Sequence, residues 1–274
     1  MATLLVVGAS GHLGGEVCRL ALVDGWRVVG TYHRAPRAVD GVRWEQIDVR
    51  DRAAVRELVE QVRPDAVVSA AYVYGDWAVT ADGAGYVALA AAEVGARLVH
   101  ISSDALHAGR PEPYLDDEEP TPVHRYGAAK AAAETVVRLV HPSAALIRTS
   151  LIIGDAGSRQ VKLCLDALSG RSGITLFRDE IRCPVGVDDL ASAVLELVSS
   201  DYSGLLNVAG PEAVSRVELG ALVARRYGLD PARVPVGTIA GSGLVRPGTV
   251  RLDSSRAAAM LTTRLRPVSE LLAR

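Results

Sequence analysis

Tyr126-Gly-Ala-Ala-Lys130 sets a phenol and an ammonium at i and i+4, one turn apart on one face of any helix they share, with only small residues between them. A phenol titrates near about 10 in water, so proton transfer by Tyr126 at neutral pH needs a cation nearby, and Lys130 is within reach to supply it. The ordinary reading of this spacing is a surface helix pair. Two features weigh against it. Lys130 and Lys162 are the only lysines among 30 basic residues, so a lysine here is not routine surface charge. Ser102-Ser103 stands upstream at the carboxyl end of a parallel strand, where open α/β sheets bind ligands, and Ser103 joins the pair as the third candidate catalytic residue.

A second constellation lies at the start of the chain. Gly8-Ala-Ser-Gly11-His-Leu-Gly14 follows a short apolar run and precedes a helical pattern, a place where bare backbone can approach a pyrophosphate and the helix N-terminus can receive its charge. The spacing is looser than the usual dinucleotide fingerprint, and an unliganded turn is its plain alternative. Gly8, Ser10, Gly11, His12, Leu13 and Gly14 are the candidate cofactor residues of this turn. At the end of the second strand the text reads Gly30-Thr-Tyr-His33-Arg34, with no carboxylate to bind ribose hydroxyls and with Arg34 suited to a 2′-phosphate. NADPH is therefore the expected cofactor, with NADH as the alternative. His33 and Arg34 join the set, as do Asp48 and Val49 for the adenine edge and Ala70 and Ala71 after the fourth strand.

These residues need elements to hold them. Thr3–Val7 is a β-branched run suited to burial on both faces, Leu13–Val23 is spaced as a helix, and Trp26–Gly30 is extended again, which makes a βαβ unit. The alternation continues with strands at 42–47, 66–69 and 97–102 and helices at 52–62 and 79–94. After a proline- and acid-rich loop over 104–123 come a helix at 124–140 and a strand at 144–149. This pattern predicts a doubly wound parallel sheet of Rossmann type over residues 1–154, with a smaller substrate lobe over 155–274 that crosses back to it. In that lobe, helices are expected at 161–169, 187–199 and 216–227 and an extended piece at 205–209.

Composition narrows the function classes. With 49% hydrophobic and 23% charged residues over 274 positions, the chain is globular, and a formal charge of -2 without runs of one sign offers nothing to nucleic acid or to an anionic membrane. The partner expected is a small-molecule substrate. Three cysteines without ligand spacing, and a start lacking a basic, apolar leader, point to a cytoplasmic protein with reduced thiols. The run Asp116-Asp-Glu-Glu119 is expected to face water, and no metal is assigned. His107 and His124 are expected at the surface, and Cys183 as inert packing. Arg246, ahead of Pro247, either grips a substrate phosphate or ends a turn.

In this order, the glycine turn, Ser103 and the Tyr126–Lys130 pair resemble the extended short-chain dehydrogenase/reductase superfamily. More narrowly, His100-Ile-Ser-Ser-Asp104, Gly109, Pro113-Tyr114, Pro120-Thr-Pro122, Tyr126-Gly127 and Lys130 are similar to the dTDP-4-dehydrorhamnose reductase family. Leu146-Ile-Arg-Thr-Ser150, Gly154, Asp189-Leu-Ala191 and Arg246-Pro247 ahead of Leu252-Asp253 extend the likeness over nearly the whole chain. The resemblance implies hydride transfer to a ketone of a nucleotide-linked 4-keto sugar. It implies that Tyr126 donates the proton, that Lys130 lowers its pKa and holds the nicotinamide ribose, and that Ser103 binds the carbonyl oxygen. Ser103, Asp104 and Arg246 form the implied substrate set, and a homodimer stays open. The chain departs from the family where Asp104-Ala105-Leu106-His107-Ala108-Gly109 replaces an aromatic-rich segment and loses a tyrosine at Ala105. It departs again at Thr80, usually asparagine, and at Pro184-Val185. Two other readings stand beside the reductase: an epimerase of the same superfamily, and a noncatalytic NADP-binding subunit like the regulatory subunit of methionine adenosyltransferase.

Overall fold

The computed structural model describes residues 1–170 and 173–273. Its centre is a seven-stranded, wholly parallel sheet built from β1 (Thr3–Val7), β2 (Arg27–Tyr32), β3 (Arg43–Gln46), β4 (Ala66–Ser69), β5 (Arg97–Ile101), β6 (Ala145–Arg148) and β7 (Gly204–Asn207), in the order β7-β6-β5-β4-β1-β2-β3. Alternation along β1 explains the layering. Leu4 and Val6 face a core shared with α1 (His12–Val23) and α6 (Val187–Val198), while Leu5 and Val7 face one shared with α2 (Arg52–Val62), α3 (Gly83–Glu93) and α4 (Arg125–Val140). The order reverses between β1 and β4, which opens a crevice at their carboxyl ends.

The second lobe packs α5 (Arg159–Leu168) against α7 (Arg216–Arg226) over Val161, Cys164, Leu176, Leu219 and Val223. Ser215 and Glu218 close a reciprocal cap at the start of α7. The boundary expected at residue 154 is crossed twice, because α6 and β7 return to the central sheet.

Three local expectations are corrected. The single helix expected over 79–94 begins as a π-helical turn, Ala78–Asp82, before α3. Asp116 does not face water: it is buried, its Oδ1 accepts from the Asn207 nitrogen at 2.6 Å, and its Oδ2 lies 3.4 Å from Arg256. His107 is not at the surface either. It is fully buried, stacked on Tyr114 at 3.9 Å between ring centroids, and neither ring nitrogen has a hydrogen-bond partner in the protein.

Burial holds the His107 imidazole neutral, with its pKa pushed down to about 3. An unpartnered buried imidazole is a cost that phenylalanine, of similar shape, does not carry, so His107→Phe is expected to stabilise the protein by about 1–3 kcal/mol at neutral pH. The gap should widen in acid. The unfolded histidine takes up its proton below about 6.5 while the folded one resists until about 3, so wild type loses stability across that window, and at pH 5 this adds about 2 kcal/mol. Urea midpoints at pH 7.5 and 5.5 check it; equal midpoints at both would refute it.

Candidate active site

The glycine turn closes around its own backbone. Gly8 has φ +90°, and a Cβ there would stand 2.7 Å from the Ala71 nitrogen. At Gly14 a Cβ would stand 2.3 Å from the Gly8 carbonyl oxygen, so α1 can pack onto the turn only without a side chain. β1 and β4 thus meet at the crevice through bare backbone, and the His12 Nε2 is buried there without a partner. Such a cradle fits a pyrophosphate at a helix N-terminus.

The same logic sets Tyr126 beside Ser103. His124 caps α4, its Nδ1 accepting from the Gly127 nitrogen at 2.9 Å, and a Cβ at Gly127 would stand 2.1 Å from the Ala105 carbonyl oxygen. The start of α4 therefore lies directly against the loop after β5. Ser103 caps the short turn Asp104–Leu106, accepting from the Ala105 nitrogen at 3.2 Å. Both serines line the cavity, but Ser102 is buried and its hydroxyl is engaged with Glu134 Oε1 at 2.5 Å, whereas Ser103 is only half-buried.

A cavity of about 670 Å³ gathers Gly8, Gly11, His12, Leu13, Gly14, Ala70, Ser103, Asp104, Tyr126, Lys130 and Arg246. Lys130 is buried and donates from Nζ to the Ile101 carbonyl at 2.8 Å, whereas Lys162 is exposed and pairs with Asp166. Burial lowers the Lys130 pKa to about 8, with Glu134 partly opposing. The Tyr126 phenol is pushed above its ordinary value, first by burial and next by Tyr72; the hydrogen bond with Ser103 and the charge of Arg159 act the other way. Tyr126 is thus a protonated acid at neutral pH. The side chains of Tyr72 and Tyr74, which the sequence reading did not single out, flank it at 5.8 and 4.9 Å between centroids.

The remaining expected residues lie outside this cavity or are engaged elsewhere. Ser10, His33 and Arg34 are exposed, Ala71 abuts Gly8, and Val49 packs against Gly83. Asp48 is paired with Arg50 at 2.5 Å, and that hydrogen bonding holds its carboxyl at about 2. The arginine brought onto the glycine turn is Arg37, which donates to the Gly11 carbonyl at 3.3 Å and covers Gly15 with its stem. Asp104 accepts from Ser150 Oγ at 2.6 Å and lies 3.6 Å from Arg182 Nε, bridging the two lobes. Beyond it, the buried Glu180 has Arg246 at 3.3 Å, Arg182 at 3.9 Å and Arg216 at 4.0 Å. Arg216 is also buried, and its Nη1 has no partner. His124, expected at the surface, is partly buried and lines the cavity. Cys183 is buried, which raises its thiol pKa. Among the described residues no cluster of His, Cys, Asp or Glu could hold a metal, and no helix is long and apolar enough to cross a membrane.

A doubly wound parallel sheet with a glycine cradle at its switch point, and a serine, a tyrosine and a lysine lining the cavity at its carboxyl edge, is the arrangement that the resemblance to the extended short-chain dehydrogenase/reductase class implies. Within that class the chain belongs to the RmlD substrate binding domain family, which matches residues 1–274. It is 31% identical over 248 residues to the dTDP-4-dehydrorhamnose reductase of Mycobacterium tuberculosis, covering 84% of this chain and 77% of that protein. To the spore coat polysaccharide biosynthesis protein SpsK of Bacillus subtilis it is 30% identical over 249 residues, 87% of this chain and 84% of that one. In fold it is similar to the dTDP-4-dehydrorhamnose reductase of Bacillus anthracis, solved in complex with NADP, with a TM-score of 0.84, 23% identity and coverage of 99% and 97% of the two chains.

Proposed function

We propose that this protein is an NADPH-dependent reductase of a nucleotide-linked 4-keto sugar. The observation that carries the reading is the convergence of Ser103, Tyr126 and Lys130 with the glycine cradle on one cavity. The Gly8–Gly14 turn would hold the dinucleotide, with Arg34 and Arg37 as cations for its 2′-phosphate, and NADPH when bound supplies the hydride. Ser103 orients the substrate carbonyl by a hydrogen bond to its oxygen. As negative charge develops there, Tyr126 donates its phenolic proton, and the Lys130 ammonium favours the phenolate left behind. The raised phenol pKa suits reduction, because the acid starts out protonated. In the second lobe, Arg182, Arg216 and Arg246 face two buried carboxylates, Asp104 and Glu180. One positive charge is left over, and Arg216 has a free donor, which suits a diphosphate.

Purified protein with NADPH and dTDP-4-keto sugars should consume the absorbance of the reduced nicotinamide, whereas an epimerase would show no net consumption and a regulatory subunit would bind NADPH without turnover. Turnover should fall as pH rises through about 8, because Lys130 is cationic only below that value. A rate flat to pH 10 would remove Lys130 from the chemistry.

A further inference from the structure

The loop after β4 carries an aromatic residue that neither core explains. Tyr74 is 56% exposed, belongs to neither hydrophobic core of the sheet, and lines the same cavity as Ser103 and Tyr126. Its ring lies 4.9 Å from that of Tyr126 at an interplanar angle of 30°, meets His124 edge-on at 6.5 Å, and has the Arg159 guanidinium 5.5 Å from its centroid. The loop is fastened. Thr80, fully buried, accepts from the Val73 nitrogen at 3.2 Å and donates to the Val73 carbonyl at 3.0 Å, so the residue just before Tyr74 is gripped through both backbone groups. An exposed aromatic ring held in this way is preorganised surface.

The loop after β5 offers the same cavity less surface. Ala105 lines it with a methyl group, and its carbonyl is fixed against Gly127. A hexose ring has one face made largely of C–H groups, and an aromatic ring beside the proton donor buries that face without needing polar partners. We propose that Tyr74 is the aromatic wall on which the hexose of the substrate packs, supplying from the loop after β4 the surface that Ala105 lacks. The inference rests on the nucleotide-sugar reading above, and Tyr74 acts here as a specificity-determining residue.

Equilibrium binding separates the two. With dTDP-glucose and dTDP as probes, wild type should bind the sugar-linked ligand more tightly than dTDP. Tyr74→Ala should erase about tenfold of that advantage while leaving dTDP and NADPH affinities unchanged. Tyr74→Phe should retain the advantage, and Tyr74→Ala/Ala105→Tyr should restore most of it. Thermal melting checks that Tyr74→Ala is folded, as expected for an exposed side chain. A sugar advantage that survives Tyr74→Ala, one absent from wild type, or a loss shared equally by NADPH would overturn the inference. NADPH oxidation by wild type, measured separately, decides the reductase reading alone.

Discussion

Replacing Tyr126 by phenylalanine is expected to lower kcat by about 10²–10⁴-fold, the range set by removing one general acid. NADPH affinity should stay within about twofold, because the phenyl ring keeps its contacts with Tyr72, Tyr74 and His124 and only the hydroxyl beside Ser103 is removed. A proton-donor role predicts this asymmetry. Ser103→Ala should also reduce kcat, since the proposal makes its hydroxyl the donor to the carbonyl oxygen. Lys130→Met should differ from both. It removes a buried cation that the family resemblance implies holds the nicotinamide ribose, so the KM for NADPH should rise as kcat falls. Steady-state kinetics of the three variants check the assignment, and a Tyr126→Phe enzyme retaining a third of wild-type turnover would dismiss Tyr126 as the acid.

The parts of this site that could be read from residue order are those whose physics is local. A buried β-branched run such as Thr3–Val7 and a capped amphipathic stretch such as Arg52–Val62 carry their own periodicity, and the structure places both within a residue or two of expectation. Gly8 and Gly14 are legible because bare backbone is demanded within one short turn. What escaped depends on distant partners. Asp116 is buried because the nitrogen of Asn207, 91 residues later, reaches it. Arg37, not Arg34, lies on the glycine turn because of where the chain leaves β2, which no spacing rule encodes. Tyr74 sits in a loop without periodicity, and its neighbour Tyr126 is 52 residues away; only the pairing of β4 with β5, and of β5 with β6 after α4, brings them together. The two-residue strands at the junction of the lobes, Ile152–Ile153 beside Val185–Gly186, are too short to leave an alternating pattern.

Arg148→Met is expected to cost about 3–5 kcal/mol of stability, because it strands a buried charge. Arg148 is the largest fully buried side chain. It binds both oxygens of Glu134, with Nη2 to Oε2 at 2.7 Å, and holds the carbonyls of Asp116 and Glu118 at 3.0 and 2.7 Å. Without it, the Glu134 carboxylate keeps only Ser102, and the acidic loop loses its anchor to β6. Arg148→Met/Glu134→Gln removes the stranded charge as well and should recover part of the loss, so urea unfolding of the two variants gives a coupling energy with a stated sign. A single variant within about 1 kcal/mol of wild type would mean the pair is idle. The kinetic consequence separates structure from chemistry. Glu134 lies one turn beyond Lys130 and is the charge that opposes the loss of its proton on burial. Glu134→Gln should therefore move the alkaline fall in activity below about pH 8, while Arg148→Met, which keeps the Glu134 carboxyl beside Lys130, should lower it less.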